Sequence, residues 1–466
     1  MSKDTTKNPL IAYGNWLATT PNNWACTSIN SALMQFVDLI AVMIPGSKEE
    51  VVKNVYSTVK TWGNGQSTVV GHKDKLSAPW AALVNGTAAH ALDFDDNFDP
   101  AKAHASAVLI PAIMSLAEEN KLSGLQSIDA YICGLQIMGK IGQGLNPYHR
   151  NRGWHATATV GAIGASAACS RLLKLNAKQA CYALSISTSM AAGFMSQFGT
   201  MTKPIHAGLA AKSGVLSSSL AKNEVTAGIN TLNGVTGMNH LMVGLDYEDL
   251  RDSIKNPEHG QTLTFDVEKI GSPLHIDFYG FRVKRFPNCG SAHRAMDLML
   301  NLRNRLNLNS DKVEEILITA PISHLNNLMH HKPINAMEAK FSMEFAISII
   351  LESGKCNLED FSKSKVLCPK INSIYDKITL IAENKSETEI PTKVCVIMKD
   401  GTKHEETTFF PIGSKNLPFL PSEYWDKFKN CSRGLVEDTK YKKIMQKLEN
   451  LASLESVSTL MNDLKN

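Results

Sequence analysis

Thr157–Ser170 reads TATVGAIGASAACS and Ala207–Ser219 reads AGLAAKSGVLSSS, and the interpretation of these two stretches decides the fold. Both are dominated by Ala, Gly and Ser, with apolar residues recurring at helical spacing. Side chains this small let helix axes approach closely, so the pair predicts central, tightly packed helices of an α-helical core. Two glycine-containing loops are the alternative, and the length of the apolar periodicity argues against them. The same texture extends outward through the first long section, to about residue 269. Within it Ile128–Ile141 (IDAYICGLQIMGKI) predicts another helix, with Ser127 placed to cap it.

The texture changes near residue 270. Leu274–Val283 (LHIDFYGFRV) and Val313–Ala320 (VEEILITA) have strand-like content and flank a helical run, His293–Leu306. A further helix is expected near Met337–Leu351. It is followed by Val394–Asp400 (VCVIMKD), Gly401, and Thr402–Phe410, where Asp-Gly between two strand-like runs signals a hairpin. The tail Thr439–Leu464 returns to helix, with apolar residues at Ile444, Leu448, Leu451 and Leu454. The expected architecture is mainly α. A large helical domain comes from residues 1–269 and 406–466, with a smaller α+β domain inserted at 270–405.

A chain of 466 residues exceeds what one core usually holds, in keeping with two domains. A net charge of +4, without a Lys/Arg block interleaved with aromatics, excludes an evident nucleic-acid binder. The nine cysteines are scattered and none forms C-x-x-C, which argues against a disulfide framework, a zinc site or an iron–sulfur cluster. The N-terminus MSKDTTKNPLIAYGNW has no continuous apolar run, and Asp4 argues against a transit peptide. Val37–Pro45 is interrupted by Asp38 and short of the roughly 20 residues needed to span a bilayer. The expectation is a cytoplasmic protein with no membrane partner.

Four segments carry candidate chemistry. His90–His104, HALDFDDNFDPAKAH, crowds Asp93, Asp95, Asp96 and Asp99 into seven positions. Such a run reads as a solvated loop, a cation site or a cluster of perturbed carboxyls. The EF-hand glycine and terminal glutamate are missing, which counts against the metal. Ala91, Leu92, Phe94 and Phe98 would draw carboxylates inward, where burial and crowding raise their pKa values. In Asn146–Thr159, NPYHRNRGWHATAT, His155 falls at a helix N-terminus, a setting that keeps imidazole neutral. It reads equally as a structural cap with surface arginines at Arg150 and Arg152. In Gly199–Gly208, GTMTKPIHAG, Lys203 precedes Pro204 and is expected in extended backbone just before a helix. There it would serve as an anion anchor or stand as an ordinary exposed lysine. Lys284–His293, KRFPNCGSAH, opens a helix whose N-terminus suits an anion. Cys289 within it has no base that the sequence can place. Phosphate-binding glycine loops and G-x-S-x-G are absent, leaving acid/base chemistry on a small molecule.

Taken together, HALDFDDNFDPAKAHASAVLIPA, GWHATATVGAIGASAA, FMSQFGTMTKPIHAGLAA, KRFPNCGSAHRAMD and EAKFSMEFAI resemble the MmgE/PrpD family, in the family's order, from about residue 80 to 350. That family includes 2-methylcitrate dehydratases, cis-aconitate decarboxylases and an iminodisuccinate epimerase. The resemblance implies a helical domain with a smaller lid domain, a homodimer, and no metal or organic cofactor. It implies catalytic roles for Asp93, His104, His155 and Lys203, and substrate contacts from Asn97, Lys284 and Arg285. Lys203 and lid cations would bind substrate carboxylates, His104 and His155 would exchange protons, and Asp93 would orient one of them.

The chain departs from the family's decarboxylases in carrying Asn97 where they have Thr and one extra residue before His104. His324–His331, HLNNLMHH, has no tyrosine where they carry one, and Ala105 replaces the usual proline. The expected activity is therefore a cofactor-independent lyase on a small polycarboxylate, by dehydration of a citrate-like substrate such as 2-methylcitrate. Epimerisation of an iminodisuccinate-like aminodicarboxylate and decarboxylation of cis-aconitate are the enzymatic alternatives. A metabolite-binding dimer is the non-enzymatic one.

Overall fold

The computed structural model describes residues 7–466; residues 1–6, with Asp4, lie outside the described residues. The chain is mainly helical with a small mixed sheet, and it divides into two compact units. The first comprises Met1–Ala91, Asp95–Phe281 and Leu420–Asn466, and the second Leu92–Phe94 and Arg282–Phe419. The second unit thus begins at Arg282 and ends at Phe419, where sequence texture placed the changes near 270 and 405.

The first unit is built on helices α1 (Cys26–Gly46), α2 (Ala78–His90), α3 (Ala105–Glu119), α4 (Gly124–Leu145), α5 (Ala156–Leu172) and α6 (Thr202–Lys222). The two small-residue stretches lie inside α5 and α6, which pack on each other; α5 also meets α4, and α6 meets α2. Glycine makes this closeness sterically feasible. A Cβ at Gly164 would sit 2.6 Å from the Met138 Cβ, and one at Gly208 would sit 2.2 Å from the Leu83 carbonyl oxygen. Because α5 and α6 are made largely of small residues, neighbouring helices close over them and they are buried on most faces. A two-stranded ribbon, β1 (Asn64–Thr68) with β2 (Lys75–Leu76), lies beside α3.

The α4 helix starts one turn earlier than expected, at Gly124. Its cap is Ser123, which accepts from the Gln126 N–H in a reciprocal capping box, while Ser127 lies inside the helix. Among the described residues α1 is the one helix long and apolar enough to cross a membrane. At 21 residues it runs well beyond the short Val37–Pro45 stretch. Most of it is buried, and its Asp38 pairs with Lys427 at 2.7 Å. Lys427 belongs to Pro421–Ser432, one of the helices by which the C-terminal section rejoins this unit.

In the second unit α7 (His293–Leu306) and α8 (Met343–Ser353) share an apolar core with a four-stranded sheet of order β4-β3-β5-β6. The strands are β3 (Val313–Pro321), β4 (Ile378–Glu383), β5 (Thr392–Met398) and β6 (Lys403–Thr408). Ile316 pairs with Val396 and Ile318 with Val394, so the period-two apolar positions of the central strands fall on one buried face. The Asp400-Gly401 turn joins antiparallel β5 and β6 as expected, with Gly401 at φ 86°. Strand β4, parallel to β3, was not anticipated; as an exposed edge it lacks a clean alternation. Leu274–Val283 is not a strand. His275–Phe278 forms one helical turn, the His275 N–H donates to the Gln136 side chain of α4, and Gly280 at φ 63° ends it. A short alternating run fits either state, and here a helix side chain captured its backbone.

Candidate active site

The acidic run is no solvated loop: Asp93, Asp95 and Asp96 are all buried, Asp99 is half-buried, and Phe94 and Phe98 are buried with them. After α2 ends at His90, the chain turns back on itself at Phe98–Ala103. Here the Phe98 N–H donates to the Ala103 carbonyl at 2.8 Å, and Lys102 takes a left-handed φ of 51°. That tight return brings His104, the N-cap of α3, back to the start of the run. Asp95 Oδ2 then lies 2.8 Å from His90 Nδ1 and 3.3 Å from His104 Nδ1. One buried carboxylate oxygen is thus hydrogen-bonded to His90 and within ion-pair distance of His104, each through its Nδ1. The three donor atoms are also close enough together to surround one metal ion.

Electrostatics assigns the adjacent aspartates opposite states. Burial alone would raise the Asp95 carboxyl, but His90 and His104 beside it hold it well below its ordinary range, so it is a carboxylate. Asp96 accepts from the Ser106 N–H in the first turn of α3 at 3.2 Å. Burial, with Asp95 and Asp38 nearby, pushes it up to about 8. His90 is pushed down to about 3 by burial, which the Asp95 carboxylate opposes and Lys203 and His104 reinforce. It is neutral and donates Nδ1–H to Asp95.

The remaining members come from α5 and α6. His155 caps α5 and is buried, with its ring edge-on to Phe198 at 4.9 Å between centroids. Burial first, then its proximity to His90, Lys203, His104 and His206, depresses it well below the ordinary imidazole value. Lys203 is buried with its ammonium 5.4 Å from the Phe198 ring centre, near enough to His90, His155 and His206 to depress all three. It lies in the first turn of α6, which begins at Thr202, not in extended backbone ahead of it. Proline is tolerated at position 204 because an N–H in that turn has no intrahelical acceptor to lose.

The structure therefore gathers His104, His155 and Lys203 in the first unit and adds Asp95, His90 and His206. His90 and His206 stand in the segments HALDFDD and TKPIHAG, and what marked them was proximity to the residues already singled out. Asp93 has a lysine partner of its own. With φ 53°, it belongs to the second unit, where Lys284 Nζ is 3.1 Å from its carboxylate and 2.7 Å from its carbonyl oxygen. The Asp95 carboxylate is 3.3 Å from His104 Nδ1. Lys284, almost fully buried, is engaged by Asp93, and Lys340 likewise donates to the Leu92 carbonyl at 2.8 Å. Arg285 pairs with Asp297 at 2.9 Å and is one-third exposed. Asn97 is half-buried, and Arg152 pairs with Asp246 at the surface. In the stretch without a tyrosine, His324 is buried against Glu387 and His331 pairs with Glu344.

The first unit brings several imidazoles, a carboxylate and a lysine together, groups of the kind used in proton transfer beside an anion. The chain matches the MmgE/PrpD N-terminal domain over residues 16–249 and the MmgE/PrpD C-terminal domain over 286–451. It belongs to the MmgE/PrpD family. It is 26% identical to the cis-aconitate decarboxylase of Homo sapiens, over 94% of this chain and 90% of that protein. Identity to the Mus musculus protein of the same name is 27%, over 94% and 89%. The cis-aconitate decarboxylase of Aspergillus terreus is 26% identical over 88% and 86%. Family and relatives indicate a lyase-type enzyme.

Proposed function

We propose that this protein is a lyase that eliminates water from a citrate-like tricarboxylate such as 2-methylcitrate, using its own side chains as acid, base and anion anchor. The observation that carries the reading is the grouping of half-buried His104 with buried His155 and Lys203 in one unit, with the Asp95 carboxylate beside both His90 and His104. Lys203 binds the carboxylate next to the carbon that loses its proton and balances the charge developing there. Neutral His155 takes that proton. His104, with the Asp95 carboxylate beside it, gives one to the departing hydroxyl. Lys284, Arg285 and Asn97 are assigned to the substrate's remaining carboxylates, Lys284 after exchanging its Asp93 partner, and the working assembly is a homodimer.

Asn97 and the absence of a tyrosine from His324–His331 favour dehydration. The names of the relatives favour a second reading, decarboxylation of cis-aconitate. Proton NMR on the purified protein separates them. 2-Methylcitrate turning into an alkene with loss of water is the expected result, whereas cis-aconitate losing CO₂ would install the second reading. Exchange of a single C–H in D₂O without other change, on an aminodicarboxylate, would instead show an epimerase. Lys203→Ala should abolish whichever turnover is found while leaving the circular dichroism spectrum intact; undiminished turnover would remove Lys203 from the site.

A further inference from the structure

His155 Nδ1 and His206 Nδ1 are 3.0 Å apart and both rings are buried. Two nitrogens at that distance share a hydrogen bond only if one carries the proton and the other offers its lone pair. The two rings must then be opposite tautomers. With His155 as donor, its Nδ1 is committed to His206 and its Nε2 offers a lone pair; His206 then carries its own proton on Nε2. The packing holds this arrangement. His155 is fixed at the N-terminus of α5, its N–H donating to the Gly193 carbonyl at 2.9 Å, and His206 lies one turn beyond Lys203 on α6. Position 193 has no room for a side chain, since a Cβ there would meet the Ala158 methyl at 2.5 Å and the His206 ring at 3.3 Å.

We propose that His206 is a relay partner for His155: it sets the base tautomer of His155 and receives the proton that His155 cannot keep. The inference rests on His155 acting as the base in the proposed reaction. The substrate C–H breaks, its electron pair stays on the substrate, and the proton goes to His155 Nε2. The His155 Nδ1–H then breaks and that proton goes to His206 Nδ1. His155 ends neutral, His206 ends as an imidazolium, and the substrate carries the compensating negative charge. The groups around His155 explain why an outlet is needed. His90 comes from the end of α2, His104 from the start of α3, and Lys203 and His206 from α6, and each disfavours positive charge on the ring. Burial and Lys203 also depress His206, though less severely, so the transfer runs toward the ring better able to hold the charge.

The test has an arm that needs no turnover. In ¹⁵N-histidine-labelled protein, NMR should show one ring of the pair protonated at Nδ1, the other at Nε2, and a coupling across the Nδ1–H···Nδ1 bond. Two rings of the same tautomer would overturn the proposal. The second arm is His206→Asn, which keeps a hydrogen-bonding group near the Nδ1 position but cannot accept a proton at neutral pH. It should lower kcat by roughly 10²-fold or more with KM within about threefold, the size expected for loss of a proton-transfer partner, and should alter the pH profile of kcat. A kcat within twofold of the parent would overturn the relay even if the tautomers are as expected. A parent protein inactive on every polycarboxylate would sink the reaction itself. The histidine signals would then report separately whether the pair shares its proton.

Discussion

Within the run DFDD, three carboxylates a few positions apart have three different fates. Asp93 is engaged by Lys284, Asp95 by two histidines, and Asp96 by a helix N-terminus. Composition signals the crowding, but only the backbone path assigns the partners, because a single left-handed residue changes which way each side chain faces. Asp95→Asn would keep the shape and remove the charge that orients His104. We expect kcat to fall by roughly 10²-fold or more, measured by steady-state kinetics; an unchanged rate would show that His104 needs no carboxylate. Asp96 has a folded pKa raised to about 8, so its stabilising proton is fully present below the ordinary carboxyl range and lost as pH rises toward 8. Asp96→Asn, which can still accept from the Ser106 N–H, should therefore raise Tm, and more at pH 8 than at pH 5. A uniform effect in differential scanning calorimetry would refute the burial argument.

At the scale of elements, the close approach of α5, α6, α4 and α2 is legible in composition, because only a small-residue surface lets helices pack this tightly. Which glycine meets which backbone is not legible. A Cβ at Gly208 would press on the Leu83 carbonyl, whereas one at Gly228 would meet nothing within 4 Å. Gly208→Ala is expected to cost about 1–3 kcal/mol, the usual penalty for overpacking, and Gly228→Ala close to nothing, read as paired denaturant midpoints. The errors at this scale share one cause. Leu274–Val283 and β4 are short runs whose state is set by the partner each meets: Gln136 captures the former and β3 pairs with the latter. Long periodic segments such as His293–Leu306 depend on no such partner and were read within their ends.

For the whole molecule, buried histidines dominate the pH response. Burial pushes His90, His149 and His275 each down to about 3. In the unfolded chain they take up protons near the ordinary imidazole value of about 6.5. Their contribution to stability is present above that value and lost as pH falls toward 3, at roughly 1.4 kcal/mol per pH unit for each group. Tm should drop steeply between pH 6.5 and pH 4.5. A flat profile over that range would mean that these rings are charged in the folded protein.

By itself the sequence determined that the protein is mainly helical, with a strand-bearing section before the C-terminal helices, and it singled out His104, His155 and Lys203, which the fold brings together in one unit. Those features depend on local periodicity and on which residue types occur, and both are properties of the linear chain. Tertiary structure alone decided that Asp95 lies beside both His90 and His104, that Leu92–Phe94 groups with the second unit, and that His90 and His206 join the cluster. The physical reason is the same for each. A hydrogen bond between residues such as 155 and 206 depends on how two helices pack, which no spacing along one helix encodes.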